Sequence, residues 1–134
     1  MQEEQKQILE NAKQMFVRQP YLSKQCGQSC LSMITGDSIE LIVEKLGKEY
    51  TTYIQDDLEN YLKEKGYKTF IVVGDFSMKE VPNNSIVRLK KPDNSGHFIL
   101  KNENGILLDP SVGIVQEYIG VYEISHYLKF EKIA

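Results

Sequence analysis

The chain has 134 residues, 41% of them hydrophobic and 26% charged, with a formal net charge of -3. That length and ordinary globular composition describe a single domain, residues 1–134, able to bury about two thirds of its unfolded surface. The acidic balance excludes a nucleic-acid partner held on a basic face, and no apolar run approaches the ~18 residues of a membrane span.

The N-terminal stretch MQEEQKQILENAKQMF is charged throughout and lacks the apolar core of a signal peptide. A cytoplasmic location is therefore expected, where Cys26 and Cys30 would stay as thiols. Ile8, Leu9, Ala12, Met15 and Phe16 recur at helical spacing, which predicts an amphipathic first helix over 3–17, ending before Gln19-Pro20. After the polar connector YLSKQ, the segment QCGQSCLSMITG predicts a second helix from Cys26 to about Thr35, stopped by Gly36.

A disulfide within that helix is geometrically poor, because residues one turn apart do not present their Cβ atoms as a bridge requires. A zinc site is weakly supported, since His97 and His126 are the only histidines and no second cysteine pair exists. Neither a metal nor a cofactor is therefore expected.

Asp37-Ser38-Ile39-Glu40 matches a capping box, and IELIVEKLG behind it predicts a third helix closed by Gly47. A fourth should begin near Thr52 and close on Gly66. The pattern then changes to short runs rich in β-branched and aromatic residues: YKTFIVV, SIVRLK, HFILK, GILLD and the tail YLKFEKI. FSMKEVP, between the first two, can hold one helical turn. Helices first and strands second, without βαβ alternation, predict an α+β domain with a helical half packed on a mostly antiparallel sheet.

The run SGHFILKNENGILLDPS reads as a hairpin. A three-residue loop over Asn102–Asn104, with Gly105 at positive φ, pairs Leu100 with Ile106, Phe98 with Leu108 and Ile99 with Leu107. Phe98, Leu100, Ile106 and Leu108 then share an apolar face. His97 and Asp109 share the other, directly opposite each other, where Cβ atoms are about 4.5 to 5.5 Å apart.

A cysteine is a useful nucleophile only as thiolate, a state favoured at a helix N-terminus and beside a cationic imidazole. Cys26 meets the first condition, and His97 oriented by Asp109 would meet the second. Gly27 would let the backbone approach a substrate carbonyl, and the Cys26 amide could donate to an oxyanion. Cys30, one turn further in beside Met33 and Ile34, reads as a buried hydrophobe.

QCGQSCLSMITG followed by SGHF and LLDPS resembles the C39-type peptidases and their small C39-like relatives in the papain-like cysteine peptidase superfamily. Their pattern is a Cys-Gly-x-x-Cys helix start, a Gly-His-aromatic strand and an Asp-Pro after the next strand. The resemblance spans roughly residues 19 to 111. It implies a papain-like fold with Cys26 as nucleophile, His97 as base and acid, and Asp109 as the residue orienting His97. Gln19 is the match for the family's oxyanion glutamine, although six residues separate it from Cys26, one more than the commoner spacing. Gln25, adjacent to Cys26, is not expected to point into the same site. Gly27 and Gly96, beside the two reacting residues, are the substrate-binding candidates.

The implied activity is hydrolysis of a peptide or isopeptide bond in a peptide or protein substrate through an acyl-enzyme. The same residues support deamidation or acyl transfer, an effector that modifies or blocks one host protein, or a peptide-binding module without turnover. Familiar family members are peptidase domains of ABC transporters that trim leader peptides after Gly-Gly. This chain carries neither transmembrane helices nor a P-loop, so export coupled to trimming in one polypeptide is not expected. Stand-alone relatives point to a bacterial or bacteriophage source.

Other features read as structural. His126 has no partner in sequence, and Asp56-Asp57 suits the first turn of a helix. Tyr50, Tyr53 and Tyr61 read as core and rim packing, and Arg88, Lys90 and Lys91 as solvated surface.

Overall fold

A computed structural model describes residues 2–115 and 123–133. The helical half comprises α1 (Gln2–Met15), α2 (Cys26–Thr35), α3 (Ile39–Leu46) and α4 (Asn60–Glu64), the last entered through a π-helical turn over Ile54–Glu59. Six strands follow: β1 (Tyr67–Phe76), β2 (Ser85–Lys90), β3 (Gly96–Lys101), β4 (Leu107–Asp109), β5 (Gly113–Val115) and β6 (Glu123–Lys132). A 3₁₀ turn over Met78–Glu80 joins β1 to β2. No helix among the described residues is long and apolar enough to cross a membrane.

The helix ends follow local chemistry. Gly36 and Gly47 adopt the left-handed conformation, with φ of 83° and 70°, and close α2 and α3. The Ser38 side chain accepts from the Leu41 amide at the head of α3. Ahead of α4 the Asp57 carboxylate, inside the π-helical turn, accepts the Tyr53 amide and the Lys48 ammonium, each at 2.7 Å.

The strands form one antiparallel sheet in the order β1-β6-β2-β3-β4-β5. Its two faces bury separate clusters. Leu31, Ile42, Leu58 and Leu62 of the helical half pack with Ile86, Phe98, Leu100, Leu108 and Leu128. On the other face Val87, Leu89, Ile99, Leu107 and Ile124 lie under Val81, Phe76 and Met78.

The β3–β4 register differs from the expected pairing: Leu100 faces Leu108 and Lys101 faces Leu107. The cause is Asn102, which is buried. Its side-chain oxygen accepts from the amides of Asn104 and Ile106, and its own amide donates to the Ile106 carbonyl. The loop therefore extends over 102–106, with Gly105 at φ 77° as expected. A two-residue slip keeps each side chain on its face. His97 and Asp109 become diagonal neighbours rather than directly opposed ones. The short β5 was not anticipated; it pairs Asp109 with Gly113 and so fixes the end of β4.

Candidate active site

The head of α2 abuts the start of β3, and this contact builds the site. The Phe98 amide donates to Cys26 Sγ at 3.4 Å. The His97 side chain lies close enough to Cys26 for the sulfur to favour its protonated form, while its Nε2 lies 2.7 Å from Asp109 Oδ1. With Nε2 committed to the carboxylate, Nδ1 is the ring nitrogen left for the sulfur. The His97 side chain is 13% exposed and that of Asp109 3%.

Asp109 is held by the turn that follows it. Its Oδ1 also accepts the Ser111 amide at 2.9 Å and the Ser111 hydroxyl at 2.8 Å. The same turn receives the connector after α1: the Gln19 amide donates to the Pro110 carbonyl, and Arg18 donates to the carbonyls of Ser111 and Val112. These bonds bring Gln19 to the cleft that Cys26 and His97 line. Gln19 Nε2 donates to the Ser23 carbonyl at 2.8 Å and, more weakly, to Ser23 Oγ at 3.5 Å, a long bond that a stronger acceptor would replace. Gln25 turns away and donates to the Glu49 carbonyl.

Electrostatics separate the titratable groups. Burial pulls the His97 imidazole down, but Asp109 and Cys26 beside it outweigh burial and raise its pKa from 6.5 to about 9. His97 therefore holds its proton at neutral pH. Cys30 is fully buried, and burial, reinforced by the charges of Cys26 and Asp109, pushes its thiol well up. It is inert core. The first amides of α2 lack intrahelical acceptors, and Gln25 supplies no side-chain cap, so these donors face the cleft end of the helix.

The cleft measures about 980 Å3. The 18–24 connector forms one lip, with Tyr21 and Leu22 exposed; the 51–56 segment ahead of α4 forms another, and β2–β3 the floor. Gly96 lines it. Gly27 does not: it is buried, and a Cβ there would fall 2.0 Å from Thr52 Oγ1. The expected role of Gly27 in substrate approach gives way to a packing role between α2 and Thr52.

Two further expectations change. Arg88 and Lys91 are half-buried in the cleft wall rather than solvated, and only Lys90 is exposed. His126, expected to be merely structural, also lines the cleft, its Nδ1 2.9 Å from Ser125 Oγ. The signal for both was alternation: cross-strand pairing of Arg88 with Phe98 and His126 puts them on the helical face of the sheet, at its open end. Among the described residues no group of His, Cys, Asp or Glu could hold a metal ion.

No family model and no curated protein matches the chain. Solved structures do. The peptidase domain of Streptococcus ComA, a bi-functional ABC transporter involved in a quorum-sensing pathway, aligns at 17% identity over 87% of this chain and 97% of that one, with a TM-score of 0.63. A double-glycine-motif protease from an AMS/PCAT transporter, solved with its leader peptide, aligns at 13% identity over 87% and 91%, with a TM-score of 0.64. At such identities the architecture is what is shared: this chain has the α+β fold of the C39-type double-glycine peptidase domains.

Proposed function

We propose that the chain is a cysteine peptidase-like hydrolase that cleaves a peptide or isopeptide bond, with Cys26, His97 and Asp109 as its triad. The observation that carries this reading is a single one. The His97 ring bonds the Asp109 carboxylate through Nε2 and lies beside the Cys26 sulfur, in a cleft that both Cys26 and His97 line.

A ring protonated up to about pH 9 stabilises negative sulfur beside it. Cys26 Sγ attacks the substrate carbonyl carbon, and the C=O π electrons move onto oxygen. The Cys26 amide, at the head of α2, and the Gln19 side-chain amide, exchanging its long Ser23 Oγ contact, donate to that oxyanion. On collapse the C–N bond breaks, and the His97 proton passes to the leaving amine. His97, now neutral, deprotonates a water that attacks the thioester, and the thiolate–imidazolium pair returns as the acid leaves. Asp109 holds the ring in one tautomer throughout.

A peptide substrate suits the cleft's exposed, partly apolar lips at Tyr21, Leu22 and Tyr53, and one structural neighbour holds a leader peptide. The test is hydrolysis of a quenched fluorescent peptide containing Gly-Gly. The native chain is expected to turn over, and Cys26→Ala to lose activity without losing its fold. Full activity in Cys26→Ala would refute the assignment.

A further inference from the structure

Arg88 lines the cleft with a charge that the proposed triad leaves unused. Its side chain leans diagonally across Gly96, the residue before His97. A Cβ on Gly96 would lie 2.6 Å from Arg88 Nε and 2.7 Å from Cζ and Nη2. Glycine is therefore required for the guanidinium to occupy this seat. Arg88 Nη1 donates to Ser125 Oγ at 2.8 Å, and among the described residues Arg88 makes no ion pair. A guanidinium offers five N–H donors in a planar fork that matches a carboxylate. Half-buried and without a counter-charge among the described residues, it is an incomplete site.

The surroundings agree. Lys91 lines the same wall, and His126 faces Arg88 across the β2–β6 ladder. The His126 imidazole is pulled below its ordinary value, first by burial and then by the Arg88 charge. Of the nearby carboxylates, Asp109 is bonded to His97 and Ser111, while Asp56 belongs to the α4 lip. Arg18 is tied to backbone carbonyls of the turn after Asp109. This concentration of positive charge occurs on a chain whose formal net charge is -3.

We propose that Arg88, seated on Gly96, forms a carboxylate subsite on the leaving-group side of the bond attacked by Cys26. The placement rests on the triad reading above: His97 must face the departing nitrogen, and Arg88 and Gly96 line the same cleft as His97, Gly96 being its chain neighbour. The fork accepts a carboxylate in two parallel hydrogen bonds. An acidic side chain just after the scissile bond or a free C-terminus there supplies the same group.

Binding to the full chain carrying Cys26→Ala tests this without turnover. The probes are acetyl-Gly-Gly-Glu-Ala-amide against its Gln analogue, and acetyl-Gly-Gly-Ala with a free carboxylate against its amide, each titrated by NMR. In one pair the acid is expected to bind about tenfold tighter than its neutral partner and to move the His126 ring signals. The pair that responds identifies the source of the carboxylate. Adding Arg88→Gln should erase the preference, and Arg88→Glu should reverse it in favour of the neutral partner. Should either variant fail to fold, Gly96→Ala, which displaces the guanidinium, is expected to erase it as well. Equal binding within both pairs, undetectable binding of all four probes, or a preference surviving Arg88→Gln would overturn the subsite. Because no hydrolysis is read, an inactive native chain would count against the triad and leave this result standing.

Discussion

His97 Nε2 lies 2.7 Å from Asp109 Oδ1, although the two residues sit diagonally across β3 and β4 rather than face to face. The diagonal is closed by the side chains and by the turn at 109–113, which aims the carboxylate back along the ladder. Asp109 thereby offsets the burial that would otherwise depress the imidazole.

The pH dependence of kcat/KM follows from that balance. His97 is raised to about 9, so it is protonated below that pH and loses its proton above it. Activity should fall on the alkaline side with an apparent pKa near 9, as the acid for the leaving amine is titrated away. Asp109→Asn removes a charge that favours the imidazolium, so this limb should move to lower pH, and kcat should drop by about 10²- to 10⁴-fold. An alkaline limb that stays in place in Asp109→Asn would disconnect the carboxylate from the ring.

Ser111 supplies two of the bonds that hold Asp109, one from its amide and one from its hydroxyl, and the hydroxyl is 3.5 Å from His97 Nε2. Ser111→Ala deletes the hydroxyl and keeps the amide. A hydrogen bond to a charged carboxylate contributes about 1.5–3 kcal/mol, which sets an upper bound of roughly tenfold to hundredfold on the loss of kcat, with KM little changed. Steady-state kinetics on a soluble peptide reads the split.

Gly27→Ala is a packing test. The new methyl would lie 2.0 Å from Thr52 Oγ1, inside the buried contact of α2 with Thr52 and Leu58. Overpacking of this kind costs about 1–3 kcal/mol, or several degrees in Tm. Thr52 Oγ1 is buried without a hydrogen-bond partner among the described residues, so Thr52→Ala alone should be mild. Combined with Gly27→Ala it should restore much of the loss in a thermal melt.

Much of this architecture was legible because it depends on local rules. Helix α2 begins at Cys26 and ends at Thr35 where the cysteine-glycine start and Gly36 place it, and α3 starts at the Ser38 cap. The hairpin register was not, because it turns on whether one buried asparagine folds back on its own loop, and nothing in KNENG marks Asn102 for burial. The face survived the error because strand side chains repeat every two residues. Strand β5 is too short to carry a periodic signal, and the π-helical entry to α4 shares the apolar spacing of an ordinary helix. Arg88 and His126 escaped notice for a tertiary reason: their cleft exists only once α2 and the 51–56 segment dock on the sheet.

The reactivity of the two thiols tests the central claim most directly, since one lies beside His97 and the other is sealed in the core. Iodoacetamide labelling at pH 6, followed by peptide mass spectrometry, should modify Cys26 at least about tenfold faster than Cys30, and His97→Gln should slow Cys26 by a similar factor. Equal, slow labelling of both cysteines, or a Cys26 rate indifferent to His97→Gln, would contradict a working cysteine–histidine pair.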